Sequence, residues 1–335
     1  MSKRILAFIT IIAYSCLGLM RAQLAVGNWQ IYSSIGDPVK VIDTEERIYF
    51  VSGISLFSFD KVTEEVEAYN KNNKLNDTGV SNIYYNYDKN YLVVIYSNAN
   101  IDILHDDGKV YNIPDIKNAI MTASKTVNDV NFYDNHIYLA TDFGIVVLND
   151  EKYEVSESYN YGQKVNLIGA SNKYWFMLSG EVIYYIDKDA VKYNLANWKI
   201  LSSVSGYTIY DLEPFNDKYL FYSRKGVLYF YDMESEGLPL LGTLNMGVRS
   251  VEKYYDSFIL RGLAYVAFCK PEIVNGALQI GDVFNFQNKS EYLVNVETSS
   301  YEKDKSIWAL GEQGLCHFKM ENNQVVMLKE PFLAN

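Results

Sequence analysis

Apolar segments arranged as hairpins recur along the whole chain. In each repeat an apolar strand ends in a small or polar residue, a short turn follows, and a second apolar strand completes the hairpin. The repeats begin at Ile48, Tyr91, Ile137, Tyr174, Tyr219, Phe258 and Ile307. Repeats of about 40 residues that contain only strands are typical of a β-propeller, a ring of four-stranded blades. The pattern therefore predicts an all-β fold: a β-propeller of seven blades with four antiparallel strands in each.

The strands of one blade differ in how continuous their apolar residues are. In the first blade we expect strands at Val39–Asp43, Arg47–Ser52, Ile54–Asp60 and Glu65–Tyr69. The middle two are nearly unbroken apolar runs, because neighbouring blades cover both faces of the sheet. Outer strands such as Glu151–Tyr159 alternate polar and apolar residues, as a half-exposed edge does. We expect blades to begin near residues 39, 80, 127, 165, 208, 248 and 291.

Two parts of the ring are less regular. In the sixth repeat Arg261 and Gly262 interrupt the strand, and Lys270–Asn288 predicts an insertion or a distorted blade. A propeller also has to close, often because both chain ends contribute strands to one blade. Trp29–Ser33 could supply an outer strand to the last blade, or Gln324–Lys329 could already fill that place. The sequence leaves both arrangements open.

The first 22 residues have the pattern of a secretory signal peptide. Lys3 and Arg4 precede the apolar run Ile5–Leu19, and Ala22 ends a plausible cleavage site. Cys16 also allows a lipoprotein signal, although the bulky residue two positions before it fits that pattern poorly. We therefore expect an exported protein in which residues 23–335 form the propeller domain.

Charge and composition exclude some classes of partner. Without the signal peptide the formal net charge changes from −11 to −14, because three basic residues and no acidic ones are lost. Such a surface does not attract nucleic acid or anionic lipid, and no later apolar run is long enough to span a membrane. Cys269 and Cys316 are expected to be buried free thiols. The tyrosines are spread over most strands, which indicates packing between blades rather than a ligand cage.

No constellation of residues predicts catalysis or metal binding. The histidines, His105, His136 and His317, lack metal-ligating neighbours at suitable spacing. Asp142-Phe143-Gly144 has the letters of a kinase motif and Asp187-Lys188-Asp189 those of a calcium loop, but the accompanying residues are missing, so both are expected to be turns. We therefore predict no catalytic, cofactor-binding or metal-binding residues, no cofactor and no enzymatic activity.

One polar segment differs from the other connections between blades. Lys74–Val80 (KLNDTGV) forms a long loop, and Ile95–Ile103 a hairpin with asparagines at its turn. Asn98 and Asn100 are expected to adopt left-handed backbone conformations there. A structural role accounts for these residue types without any ligand.

These same segments carry a resemblance to a known family. In its order of short motifs the chain resembles the N-terminal propeller of the PorZ family, from the type IX secretion system of Bacteroidota. The motifs are Trp29–Tyr32, Leu56–Asp60, Leu75–Val80, Ile95–Asp102 and Tyr138–Val147. The resemblance is closest over residues 28–160.

The resemblance implies a non-catalytic accessory component at the outer-membrane cell surface, or in the periplasm. PorZ proteins work with the PorU sortase and other attachment-complex proteins while cargo is joined to anionic lipopolysaccharide. Family members carry a second propeller and a C-terminal β-sandwich signal domain beyond the part present here. Lipopolysaccharide binding would then belong to those domains, and no family binding residue maps onto this sequence.

Two other functions fit a propeller of this kind. One is the periplasmic sensor of a hybrid two-component regulator, which would continue into a membrane helix and kinase domains. The other is a carbohydrate-active enzyme, whose carboxylates could be assembled from distant blades. Both remain alternatives to the secretion role.

Overall fold

The computed structural model describes residues 37–332, apart from residues 202–207, 235–239, 246, 263–264, 276, 286–296, 302, 312 and 323. The predicted signal peptide and the Trp29–Ser33 segment lie outside the described residues. Among the described residues the strands form seven four-stranded antiparallel sheets, so the predicted seven-bladed propeller is confirmed.

Each sheet consists of four strands that follow one another along the chain. The first three blades contain β1 (Pro38–Asp43), β2 (Arg47–Ser52), β3 (Ser55–Asp60) and β4 (Val66–Tyr69); β5 (Val80–Asn86), β6 (Tyr91–Tyr96), β7 (Ile101–His105) and β8 (Val110–Ile113); and β9 (Val127–Tyr133), β10 (His136–Thr141), β11 (Gly144–Asn149) and β12 (Glu154–Asn160). The fourth and fifth contain β13 (Leu167–Ala170), β14 (Tyr174–Ser179), β15 (Val182–Asp187) and β16 (Lys199–Ile200); and β17 (Ile209–Phe215), β18 (Tyr219–Arg224), β19 (Val227–Asp232) and β20 (Leu240–Asn245).

The last two blades contain β21 (Ser250–Tyr254), β22 (Ser257–Arg261), β23 (Tyr265–Val274) and β24 (Ala277–Asn285); and β25 (Glu297–Ser299), β26 (Ser306–Gly311), β27 (Gly314–Glu321) and β28 (Gln324–Phe332). Two short helices interrupt the described strands: α1 (Asp115–Asn118) and a 3₁₀ helix at Leu195–Asn197. The region predicted as an insertion in the sixth blade lies largely in the long β23–β24 hairpin, whose pairing register shifts near Cys269. No described helix is long and apolar enough to cross a membrane.

The core lies between blades, because the middle strands bury both of their faces. All six residues of β6 are buried, whereas five of the seven residues of β12 are exposed and the other two are half-buried. One apolar cluster packs Val93 and Ile95 of the second blade against Ile137 and Leu139 of the third. Each such side chain contributes roughly 1.5–3 kcal/mol when it leaves water. Packing between neighbouring blades therefore stabilises the ring.

Among the described residues, the first and last blades meet through side-chain contacts and hydrogen bonds, and no described strand is shared between their two sheets. Phe50 and Phe59 of the first blade pack in one cluster with Trp308 and Leu310 of the last. The Asp43 backbone N–H donates to Ser299 Oγ (2.9 Å), and the Tyr301 N–H donates to Asp43 Oδ2 (2.9 Å). The outer strand of the last blade is β28, which contains the Gln324–Lys329 segment.

Candidate functional site

The first strands of the blades line the central channel, and two of their aspartates link neighbouring blades. Asp129 Oδ2 accepts a hydrogen bond from the Ile168 N–H (3.0 Å), and Asp211 Oδ2 accepts one from the Val251 N–H (2.7 Å). A first strand has no further strand on its channel side, so its backbone N–H groups need other acceptors. These two carboxylates accept hydrogen bonds from two such N–H groups. They therefore join the third blade to the fourth and the fifth blade to the sixth.

The carboxyl groups of the channel have raised pKa values, because nearby positive charges do not compensate for their burial. Burial, reinforced by Asp211, raises the pKa of Asp129 to about 7. Burial also raises the pKa of Asp211 to about 6, although its hydrogen bonds and Arg261 oppose the shift. The pKa of Glu213 is raised well above its usual value by burial and by nearby Asp211. The channel therefore favours either bound protons or an added cation.

The stability of the ring should consequently fall as the pH rises through this range. An acid whose pKa is raised by folding binds more protons in the folded chain, so its contribution is lost between the unfolded and folded pKa values. We expect the urea midpoint to fall between about pH 4 and about pH 7, and to fall less in the double variant Asp129→Asn, Asp211→Asn. Asparagine keeps an acceptor oxygen for each N–H. Equal slopes in the two proteins would contradict this account.

A cavity of about 430 Å³ lies at the end of the channel where the first strands end. Its walls come from the second, third, sixth and seventh blades, and the lining residues are Tyr85, Asn86, Tyr87, Asp88, Phe132, Lys253, Tyr254, Tyr255, Ser300 and Tyr301. The rings of Tyr87 and Tyr301 stack at 5.8 Å with an interplanar angle of 15°. We call this cavity the tyrosine pocket.

The hydroxyl groups of three pocket tyrosines are bonded elsewhere in the protein. Tyr85 donates to Asp106 Oδ2 (2.9 Å), Tyr87 to the Asp43 carbonyl oxygen (2.9 Å) and Tyr255 to the Tyr301 carbonyl oxygen (2.6 Å). These bonds fix the rings, so the pocket offers aromatic surface rather than free hydroxyls. Tyr87 also packs between blades, as predicted for the tyrosines of this chain, because its ring stacks on Tyr301 and its hydroxyl group bonds to the first blade.

The polar segment singled out in the sequence forms a network around Asp77. Asp77 Oδ2 accepts hydrogen bonds from Asn98 Nδ2 (2.8 Å), Asn100 Nδ2 (3.2 Å) and Lys117 Nζ (2.6 Å). These donors, Lys117 first, hold the pKa of Asp77 well below its usual value. The expected left-handed backbone at the two asparagines is wrong: Ala99 between them has φ 64°. Asn98 Oδ1 accepts a hydrogen bond from the Asn100 N–H (3.0 Å), and this Asx turn holds Ala99 in its left-handed backbone conformation.

A second carboxylate extends this network into the blade. The Asp102 side chain is completely buried and accepts from the backbone and side chain of Asn76 (2.8 and 3.1 Å), from Tyr96 Oη (2.5 Å) and from Asn112 Nδ2 (2.8 Å). Because protein donors fill both carboxylates, the network acts structurally. It holds the loop between the first two blades against the second blade.

The histidines and the kinase-like motif lie apart in the ring. Tyr153 Oη lies 3.0 Å from His105 Nε2, His136 Nδ1 lies 2.6 Å from a backbone oxygen, and His317 stacks on Trp308 at 4.3 Å. Burial lowers the pKa of His317 to about 4. Asp142-Phe143-Gly144 occupies the β10–β11 turn, as expected. Within the described part of the chain, no group of three His, Cys, Asp or Glu side chains is placed to hold a metal ion.

The calcium-like sequence forms the turn after β15, where a lysine occupies an aromatic site. Lys188 Nζ lies 3.1 Å from the Tyr133 ring centroid and 3.9 Å from that of Trp175, and it donates to the Ser171 carbonyl oxygen (2.7 Å). Burial, with Lys192 nearby, lowers the pKa of Lys188 to about 7. This ammonium group is held by ring faces.

The cysteines are buried and free, which confirms the prediction for them. Burial raises the pKa of both the Cys269 and the Cys316 thiol to about 12. Neither thiol is therefore ionised at neutral pH.

Comparison with known proteins relates this ring to one secretion component. Residues 48–199 match the family model described as "TSS9, PorZ, N-terminal beta-propeller domain". The resemblance to the PorZ family is confirmed. The matched segment runs from β2 to β16 and includes the Asp77 and Asp102 network and the Tyr85–Tyr87 wall of the tyrosine pocket. No curated protein sequence matches the chain.

Solved structures share the architecture at lower identity. PorZ of Porphyromonas gingivalis, a surface component of the type IX secretion system, superposes with a TM-score of 0.73 at 22% identity over 91% of this chain. This chain covers only 39% of the solved PorZ chain. The WD40 propeller of Doa1 (TM-score 0.63, 12% identity, 87% of this chain and 95% of that one) and Kuenenia stuttgartiensis hydrazine synthase (0.61, 10%, 91% and 99%) have the same fold. At these identities the structures establish the fold alone.

Proposed function

We propose that this protein is a component of a type IX secretion system, in which the propeller is a non-catalytic scaffold for protein partners. The match of residues 48–199 to the PorZ family model carries the proposal. Neighbouring blades bury their faces against each other, so the ring is a firm base on which surface groups keep fixed positions. A scaffold needs such a base and needs no catalytic group.

The tyrosine pocket supports a docking role for the face on which it opens. Tyr87 and Tyr255 stand at its rim with 43% and 45% of their surface exposed. Exposed aromatic rings around a concave surface are typical of binding sites for partner side chains. The proposed partners are a PorU-type sortase and other outer-membrane attachment proteins, and the proposed location is the cell surface.

The whole protein's role would include the attachment of cargo to anionic lipopolysaccharide. The acidic surface of this chain disfavours direct binding of an anionic polymer, because like charges repel. We therefore assign any contact with the lipopolysaccharide to the remainder of a longer PorZ-like protein. The ring would then hold protein partners near that contact.

The test uses the native protein with an affinity tag introduced at its own locus. We expect purification from outer-membrane extract to recover the sortase and its attachment partners, and deletion of the gene to leave cargo unprocessed. A tagged, unrelated seven-bladed propeller exported by the same cell is the control. Detection of the protein only in the cytoplasm would refute the proposal, and recovery of a histidine kinase instead would favour the sensor function.

A further inference from the structure

The tyrosine pocket is aromatic from its opening to its interior. Tyr87 and Tyr255 stand exposed at the rim, whereas Tyr85 and Tyr254 are buried. The rings of Tyr254 and Tyr255 meet edge-on at 4.9 Å, and those of Tyr85 and Tyr87 meet in the same way at 5.0 Å. A ring that enters the pocket can therefore pack against aromatic surface along its whole depth.

Two lysines place positive charge at one end of this aromatic surface. Lys253 is part of the pocket lining, and Lys303 Nζ lies 4.5 Å from the ring centroid of Tyr255 at the rim. Both lysine side chains are exposed, and neither forms an ion pair with another described residue. They come from the sixth and seventh blades, which meet at this end of the pocket.

The acidic residues nearby do not cancel this charge. Asp88, the acid among the described lining residues, belongs to the second blade, away from the lysines in the ring. Glu252 precedes Lys253 in the chain but is paired with Arg261 (2.8 Å). Burial raises the pKa of Glu213 well above its usual value, which reduces the negative charge of that carboxyl. An anionic group at this end would therefore meet two unpaired ammonium groups of the described surface.

We propose that the tyrosine pocket binds a segment of a partner protein in which acidic residues flank an aromatic side chain. The aromatic ring would pack into the pocket, and a neighbouring carboxylate would pair with Lys253 and Lys303 at the rim. The cavity of about 430 Å³ falls within the usual range of ligand sites, which leaves room for a ring and the backbone beside it.

The charge of the whole chain makes this pairing selective. The net charge is −11, so an acidic partner is repelled by most of the surface and attracted only where unpaired lysines lie together. Aromatic residues are also the side chains most enriched in the buried centres of protein interfaces. The assignment rests on the proposed scaffold function and names what the scaffold recognises.

Three peptides test the charge and the ring separately. The probe is acetyl-Glu-Phe-Glu-amide, titrated into the purified native protein and followed in the NMR spectrum of the peptide. Acetyl-Gln-Phe-Gln-amide has nearly the same shape without charge, and acetyl-Glu-Ala-Glu-amide keeps the charge without the ring. At low ionic strength we expect the probe to bind about fivefold more tightly than the glutamine peptide and about tenfold more tightly than the alanine peptide. Equal affinity of the glutamate and glutamine peptides, or binding of none, would overturn the assignment.

Lysine variants locate the charge effect at the rim. Lys253→Gln and Lys303→Gln should each reduce the fivefold preference for glutamate to about twofold, and the double variant should remove it. Lys71→Gln, at an exposed lysine in the turn after β4 and outside the pocket lining, is the matched control and should keep the preference. The preference is a ratio of two affinities in one variant, so a loss of folded protein leaves it unchanged. An undiminished ratio in the double variant would contradict the pairing.

Other occupants would give different results. Sodium glucuronate stands for an anionic glycan, and binding tighter than that of the probe, lost in the double lysine variant, would replace the protein segment by a sugar. Dimerisation in sedimentation experiments that Tyr255→Ala abolishes would assign the pocket to a second copy of the chain instead.

The titrations use purified protein alone, so they succeed or fail independently of the affinity purification from outer membrane. Peptide binding without recovery of secretion partners would retain the pocket and reject the proposed function. Recovery of those partners without peptide binding would retain the function and reject this docking site.

Discussion

Replacing Asp43 by alanine is expected to lower the free energy of unfolding by about 3–5 kcal/mol. The Asp43 side chain is completely buried where the first blade meets the last, and it pairs with Lys61 Nζ at 2.7 Å. It also accepts the Tyr301 N–H from the seventh blade. Alanine would leave a largely buried ammonium group and a backbone donor without this acceptor. The measurement is urea unfolding followed by tyrosine and tryptophan fluorescence.

Two further variants show whether the charge or the hydrogen bonds matter more. Asp43→Asn keeps an acceptor oxygen and should lose less stability than alanine. The double variant Asp43→Asn, Lys61→Met removes both charges together, and we expect it to recover part of the loss. If Asp43→Ala unfolds at the same urea concentration as the parent, the contact between the two blades does not hold the ring closed.

Replacing Asp102 by alanine should cost a similar amount, about 3–5 kcal/mol, for a different reason. Its carboxylate takes four hydrogen bonds from neutral donors of the backbone and side chains. Alanine would leave the donors of Asn76, Tyr96 and Asn112 without their acceptor inside the protein. The loop between the first two blades should then open, which hydrogen exchange at residues 74–80 would detect along with the lower urea midpoint.

Asp107→Ala is the matched control for this loss, because it removes an aspartate of the same blade. Asp107 lies in the β7–β8 turn and pairs with an exposed lysine, so its removal should leave the urea midpoint nearly unchanged. Equal effects of the two variants would mean that burial of Asp102 contributes nothing. An intact loop in Asp102→Ala would likewise reject the structural role assigned to the network.

The strands of the blades could be predicted closely from the sequence. The second strand of the first blade was expected at Arg47–Ser52 and is found there, and the third begins one residue later than expected, at Ser55. Continuous apolar runs mark these strands because neighbouring blades cover both faces. This apolar pattern lies within each strand, so the strands of one repeat can be recognised without reference to the rest of the chain.

The tyrosine pocket could not be predicted, because its walls are far apart along the chain. Tyr87, Tyr255 and Tyr301 each lie one or two residues after the end of a first strand, and only closure of the ring brings them together. The channel carboxyls are equally hidden: Asp129 is the one acidic residue of β9, and Asp211 shares β17 only with Glu213. The sequence offered one indication of their role: both aspartates occur near the start of a blade, where the backbone N–H groups of an unpaired strand edge need hydrogen-bond acceptors.

The contiguity of every described blade bears on how the chain acquires its structure. Since no described strand is exchanged between the first and seventh sheets, a nascent chain that emerges N-terminus first can complete each sheet before the next one appears. Only the junction around Asp43 has to wait for the last sheet. Until then the apolar face of the first sheet that later meets Trp308 stays uncovered. A chaperone would therefore find the largest exposed apolar surface before the last sheet has formed.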